Sequence, residues 1–485
     1  MTKNTGIVSL NYLPCLLFLM GCIFISSTPS ITYADDYGTS ETSTTDITTD
    51  KTKQELTSSH FTLVDEVSSP SGIKAWIIQD HHVPAINISV AIRHAGSVYD
   101  LPGKEGTSFL LSKMLDEGAG KYNHRTFKEA LERDAIYISA STSRDHIYIS
   151  LKTLSSNVDQ AFHMLSLMLT SPKLSRSTFS REHAAAQAQI KRSMTNPSYL
   201  ADLQWIKSYF GKHPYGRPVR GTMESLQHIN HEDILTFFYA HVGRNNLTFS
   251  MAGDITPSQA STLLEKHFSS MIDVPTPPSI IPDFVQPETP STVRIERSMP
   301  QSIAIFGTPG VHYDDPQFYP TLLANYILGG GGFESRLMKK IREERGLAYS
   351  VSTSLMSLNH ADLIKGSVAT RNDAVNTSLT LIDNTMQEMR EQGITASELK
   401  SAKDYLIGSF ILGLDTNASL AGYLTFMQLE NMGKDFLNNR NERVRNVTIE
   451  QVKAASSKLL HNENMVTVII GENNTDNSTD ETSPH

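Results

Sequence analysis

Asn246-Leu247-Thr248-Phe249-Ser250-Met251-Ala252-Gly253-Asp254 and Asn464-Met465-Val466-Thr467-Val468-Ile469-Ile470-Gly471-Glu472 follow one pattern. Each has a turn-forming Asn, an apolar run of strand length, and a Gly followed by an acid. Each also follows a helical stretch, opened by His231-Glu232-Asp233-Ile234 in one case and Ile449-Glu450-Gln451-Val452 in the other. The blocks superpose without a gap at an offset of 218 residues. Their beginnings agree approximately: Val83-Pro84 leads into an apolar run over 86–92, and Met299-Pro300 into one over 303–306, an offset of 216. A repeat this long signals a duplicated domain rather than a solenoid. Pro275, Pro277, Pro278 and Pro282 mark the join, because closely spaced prolines continue neither helix nor strand.

Within the first half, strand patterns over 73–78 and 86–92 alternate with helical ones over 106–117, 125–133, 157–169 and 177–194. Strands over 137–143 and 146–152 meet at Arg144-Asp145, a hairpin signature. The second half repeats the plan, with a hairpin over 348–356 and 363–369 and helices over 372–392 and 395–410. Hairpins mixed with helical layers read as α+β. The expected architecture is two homologous halves, each of two related α+β units, closing like a clamshell.

Outside the halves the chain changes character. Lys3 precedes an apolar run over 16–25, and Thr32-Tyr33-Ala34 offers small residues for cleavage, so 1–34 reads as a secretory signal peptide. The run is too short for a transmembrane span. Leu19-Met20-Gly21-Cys22 leaves a lipid anchor at Cys22 as the alternative to plain cleavage. Both cysteines, Cys15 and Cys22, lie in this segment, so the cleaved chain would carry no thiol, which excludes cysteine catalysis and suits a periplasmic or secreted location. Residues 35–60 are Ser/Thr-rich and hold six acids against two lysines, a composition expected to stay disordered as a tether. The tail, 473–485, reads the same way. The body then divides into 61–274, a linker over 275–284, and 285–472. With 39% hydrophobic and 19% charged residues, the chain is globular in composition. Its net charge of −9 is concentrated in the tether and tail, so the body carries no basic stripe and nucleic acid is excluded as the main partner.

Two stretches carry chemistry. Gly106-Thr107-Ser108-Phe109-Leu110-Leu111-Ser112-Lys113-Met114-Leu115-Asp116-Glu117-Gly118 keeps the frame of a helix that ends in Gly. It resembles the zinc-binding segment of the insulinase/pitrilysin-type metallopeptidases, G-L-A-H-F-L-E-H-M-L-F-K-G. In that family two His ligands at i and i+4 share a helix face with a general-base Glu, and a further Glu ligand follows downstream on a second helix. The matching positions here are Phe109, Ser112 and Lys113, with Gln189 at the downstream one. A phenyl ring has no donor atom, an ammonium repels a cation, and a primary amide is a poor zinc ligand. The resemblance therefore implies a degenerate motif, with no metal and no cofactor held by this chain.

The second stretch runs Gly329-Gly330-Gly331-Gly332-Phe333-Glu334-Ser335-Arg336-Leu337, then Ile341-Arg342-Glu343-Glu344-Arg345-Gly346-Leu347-Ala348-Tyr349. It is similar to the family's second-half signature, in which an Arg and a Tyr seven residues later reach the substrate. Arg342 and Tyr349 match that spacing, and Arg345 is the lesser candidate. A guanidinium with a phenol suits gripping a carbonyl and stabilising a developing oxyanion. The bland alternative is a helix-end Arg paired with Glu343 or Glu344 beside a strand Tyr.

Other features read as structural. His228, His231 and Glu232 open a helix whose repeat counterpart lacks the histidines, so capping accounts for them better than metal. His81-His82 sits in a turn. Lys113 is expected to pair with Glu117 at i+4, or with Glu182. No G-x-S-x-G elbow appears, and the glycine run lacks the Lys-Ser/Thr of a phosphate loop. What the resemblance implies is a non-catalytic subunit supplying Arg342 and Tyr349 to a zinc-bearing partner in peptide hydrolysis. The alternative is an inert peptide-binding or scaffold protein of the same fold. An autonomous peptidase is the weakest reading, because the chain cannot activate a water.

Overall fold

The computed structural model describes residues 63–275 and 280–472. The expected signal peptide, the whole tether, residues 276–279 of the linker and the tail lie outside them. Two sheets form the body. The first is built from β1 (Asp65–Ser68), β2 (Lys74–Gln79), β3 (Ala85–Ile92), β4 (Tyr137–Thr142), β5 (Ile147–Leu154) and β6 (Leu247–Gly253), in the order β1-β2-β6-β3-β5-β4. The second is built from β7 (Ser291–Glu296), β8 (Ser302–Pro309), β9 (Ala348–Leu358), β10 (Ala361–Thr370) and β11 (Val466–Gly471), in the order β7-β11-β8-β10-β9.

Apart from β1 the two orders are the same, and so are their directions: β2 with β6 and β7 with β11 are parallel, all other pairs antiparallel. The repeated Gly has a steric cause. A Cβ at Gly253 would lie 2.2 Å from the Ala85 carbonyl oxygen, and one at Gly471 would lie 2.1 Å from Ser302 Oγ. In both halves the neighbouring strand begins too close to the repeat strand for any side chain.

One sheet per half corrects the expectation of two α+β units in each. The helices of each half cover the faces of its one sheet and of the other half's. One face of each sheet packs its own half's helices in a core of its own. The opposite faces are covered by exchange. Helix Pro197–Phe210, from the first half, lays Ala201, Trp205 and Tyr209 against Ile305, Leu363, Val468 and Ile470 of the second sheet. Helix Asn417–Leu429, from the second half, lays Ala421, Leu424 and Met427 against Ile78 and Ala252 of the first.

Both central strands are consequently buried along their whole length, which is why they read as continuous apolar runs and not as alternating ones. Polar bonds fix the exchange. Trp205 Nε1 donates to the Val466 carbonyl at 2.9 Å, and Gln428 Nε2 donates to the Phe249 carbonyl at 2.9 Å and to Ser250 Oγ at 2.7 Å. Each half's helix is part of the other half's core. Among the described residues no helix is long and apolar enough to cross a membrane.

Candidate functional site

The degenerate motif falls on helix Thr107–Met114. Its start is held by Asp100, a buried carboxylate that accepts the Gly106 and Ser108 amides, each at 2.8 Å. Burial pushes the Asp100 carboxyl up to about 7, while those two amide bonds pull it the other way. Gly106 has φ +103°, and a Cβ there would meet the Arg220 carbonyl oxygen at 2.8 Å, so only glycine turns the chain into this helix.

Positions 109, 112 and 113 share one helix face, but the chemistry of that face is closed. Phe109 is buried in the first core, and Ser112 is buried with its hydroxyl donating to the Phe109 carbonyl at 2.8 Å. Lys113 is exposed, with Nζ 5.6 Å from the centre of the Phe109 ring. Gln189 is half-buried on helix Arg176–Ser193, which packs beside the first helix.

The expected pairing of Lys113 with Glu117 does not form. The helix ends at Met114, so the i+4 relation is lost, and Glu117 is taken by Arg181, by His124 Nδ1 at 2.6 Å and by Lys128 Nζ at 3.9 Å. Glu182 pairs with Arg181 instead, at 3.0 Å.

These four residues do not fit a zinc ion: they supply no donor set, and a cation stands where a ligand would be needed. Among the described residues no three His, Cys, Asp or Glu side chains gather as they would to hold a metal. Elemental analysis of the purified chain is expected to find no zinc that survives dialysis, and about one zinc per chain would overturn this reading.

The remaining histidines of note have structural partners. Asn230 caps helix His231–His241 by accepting the Glu232 and Asp233 amides at 2.8 and 3.2 Å, and His231 Nε2 bonds the Leu174 carbonyl. His81 and His82 bond Asp254 and Asp80, at 2.6 and 2.7 Å.

The second motif is built differently. After Asn325 the helix widens into a π-helical turn over Tyr326–Gly330, and after a 3₁₀ turn over Gly332–Glu334 a second π-helical segment follows over Met338–Glu343. Wide turns of this kind recur at functional sites. Gly346, at φ +59°, ends the second by donating its amide to the Arg342 carbonyl at 2.9 Å, and β9 starts two residues later. That reversal brings Arg342, in the last helical turn, beside Tyr349 at the start of the strand.

The Arg342 guanidinium carbon lies 5.0 Å from the centre of the Tyr349 ring and 4.7 Å from that of Phe333. Tyr349 is 71% exposed and Phe333 54%, so the two rings steady the cation at the surface without hiding it. Phe333 was not among the residues singled out from the sequence. The one signal for it is its place just after the glycine run, and Gly332, at φ +56°, is what turns it toward Arg342.

The neighbouring cations behave otherwise. Arg336 makes a fork to Glu398 at 2.7 and 2.8 Å. Lys339 pairs with Glu334, Lys340 with Glu388 and Arg345 with Glu344. Among the described residues Arg342 has no carboxylate within ion-pair distance, so the Glu343/Glu344 pairing is not the arrangement found. Glu344 serves Arg345, which also donates to the Lys340 carbonyl at 2.9 Å.

Two sheets of one strand order, exchanged helices, a first-half motif without zinc ligands and a second-half Arg–Tyr pair define an α+β protein of the duplicated peptidase type. The chain belongs to peptidase family M16: residues 74–223 match the domain described as Insulinase (Peptidase family M16), and residues 228–406 that described as Peptidase M16 inactive domain. It is similar to the non-peptidase homolog YmxG of Helicobacter pylori, 28% identical over 70% of this chain and 78% of that one. It is also similar to an uncharacterized zinc protease YmxG of Bacillus subtilis, 24% identical over 74% of this chain and 86% of that one. A crystal structure of a peptidase M16 inactive domain from Pseudomonas fluorescens superposes with a TM-score of 0.79 at 26% identity, covering 84% of this chain and 98% of that one.

Proposed function

We propose that this chain is a non-hydrolytic, peptide-binding subunit that pairs with a zinc-bearing M16 relative and offers Arg342 and Tyr349 to the peptide being cut. The observation that carries this is Arg342, without an ion pair among the described residues and held between two exposed rings, while the four cations around it are all paired. A half-buried guanidinium held between exposed rings and pre-oriented is suited to a carbonyl or carboxylate brought by a ligand. The Tyr349 phenol would donate to the same oxygen as negative charge builds on it. Water activation would be the partner's part, since Phe109, Ser112, Lys113 and Gln189 stand where the zinc ligands and the general base would be needed. The name of the H. pylori relative, a non-peptidase homolog, supports the same reading. The N-terminal segment makes the periplasm, or the outside of the cell, the proposed location.

The test is turnover by the mixed complex. This chain alone is expected to cleave no peptide. With its partner, Tyr349→Phe and Arg342→Ala should each lower kcat by about 10²–10³, the usual cost of one oxyanion donor, with assembly and the partner's zinc content unchanged. Arg345→Ala, whose guanidinium is already paired, should be milder. Unchanged turnover in both variants would leave the residues structural and favour an inert scaffold, and chelator-sensitive cleavage by the isolated chain would refute the accessory role.

A further inference from the structure

A groove of about 800 Å³ runs along helix Pro197–Phe210, on the face where Leu200, Leu203, Gln204 and Lys207 follow one another at helical spacing. Its lining changes character along that axis. Met194, just before the helix, makes one end apolar together with Leu200 and Leu203. Lys207 and Lys212, the second placed beyond the turn at Gly211, make the other end cationic. Both lysines are exposed, and among the described residues neither has an ion-pair partner. The carboxylates opposite do not cancel them. Glu105 accepts the Gly103 amide at 3.0 Å and lies 3.9 Å from the Arg217 guanidinium, which offsets its charge. Glu224 is exposed in the first turn of helix Met223–His228. Two lysines against that one free carboxylate leave the groove net positive.

The described residues end beside this groove. Ile295 of β7 is part of its lining, and β11 runs parallel to β7 with Ile470 opposite Ile295 and Gly471 opposite Glu296. With neighbouring strands about 4.8 Å apart and about 3.3 Å of chain per residue, residue 473 sets out about 11 Å from Ile295. Residues 473–485 hold Asp476, Asp480 and Glu481 and no Lys or Arg. Extended, they reach roughly 40 Å, against about 18 Å from Leu200 to Lys212 at the rise of a helix. The acids of residues 35–60 enter elsewhere: they precede β1, on the first sheet, and β1 does not line the groove.

We propose that residues 473–485 lie along this groove with their carboxylates on Lys207 and Lys212, an acidic strap that the chain supplies for itself and that keeps other acidic peptides out. Such a segment has no apolar surface to bury, so it orders only where a partner meets its charge. The starting point beside Ile295, the reach and the opposite sign of charge all favour this groove as that partner. The strap is independent of Arg342 and Tyr349 and of what they bind.

The test uses the full chain and a fluorescein-labelled synthetic peptide of residues 473–485, read by anisotropy. Neutralising the chain's own strap, with Asp476→Asn, Asp480→Asn and Glu481→Gln together, should free the groove. That variant should bind the labelled peptide about tenfold more tightly than wild type, in which the tethered strap competes at an effective concentration on the order of 1 mM. Adding Lys207→Glu and Lys212→Glu to the freed chain should weaken the peptide about tenfold, through two lost surface ion pairs and the repulsion put in their place. Both lysines are exposed, so circular dichroism should show the fold of that variant unchanged. Binding should also fall as salt is raised. No binding to the freed chain, or equal binding to it and to wild type, would overturn the strap. Binding that ignores the two lysines would put the peptide elsewhere on the surface and overturn it as well.

Discussion

Trp205→Ala is expected to destabilise the chain by about 3–5 kcal/mol, the cost of emptying a large buried aromatic site. The indole is 1% exposed, stacks on Tyr209 with centroids 4.7 Å apart, and lies so close to β8 that a Cβ at Gly307 would be 2.3 Å from it. Its neighbours on the second sheet are held in regular strands and cannot collapse into the space. The Val466 carbonyl would also lose its 2.9 Å donor. Trp205→Phe separates the contributions: it keeps most of the ring and loses the N–H, and should cost about 1–2 kcal/mol. Urea unfolding monitored by circular dichroism gives both values. A loss under about 1.5 kcal/mol for the alanine variant would mean that the exchanged helix is an accessory and not part of the second half's core.

The exchange of helices is also where sequence and structure part company. Strand periodicity, the Arg144-Asp145 turn and the repeated Asn-to-Gly block are local patterns, and each was legible because a neighbour in sequence, or the close approach at Gly253 and Gly471, dictates the residue type. An amphipathic helix declares that it has an apolar face but not what covers it. Trp205 and Tyr209 on one turn give no hint that their partner strands lie in the other half, and where four units were expected there are two sheets.

The site divides along the same line. The seven-residue spacing of Arg342 and Tyr349 was readable because a turn ended by Gly346 brings helix end and strand start together. Phe333 was not, since its approach to Arg342 depends on the backbone of four consecutive glycines. The Lys113–Glu117 pair failed through a helix boundary, as the first helix stops three residues before Glu117.

Acid should loosen the fold through two histidines that no reading of the sequence singled out. His146, beside the β4–β5 turn, is 5% exposed, and burial, with His94 and Arg93 nearby, holds its imidazole down at about 3. His241 is stacked on Phe237 at 4.2 Å and lies 5.6 Å from Tyr99, and burial brings it down to about 4. Nδ1 of each is buried without a hydrogen-bond partner among the described residues, and at His241 burial outweighs a backbone bond to His94 that favours the charged ring.

Both folded values lie below the unfolded one of about 6.5, so the unfolded chain binds more protons as the pH falls. Their contribution to stability is complete above about pH 6.5 and is lost as the pH drops toward 4. Asp100 acts in the opposite sense, since its raised folded value favours the folded state on acidification. The net slope is therefore not diagnostic, and the difference between variants is. His146→Gln should remove about one proton from the linkage, flattening unfolding free energy against pH by about 1.4 kcal/mol per unit between pH 6 and 4 relative to wild type. His241→Gln should do the same over a window that closes near pH 4. Parallel curves for wild type and His146→Gln would mean that this ring does not resist protonation, and that the acid sensitivity of the fold lies in its carboxylates.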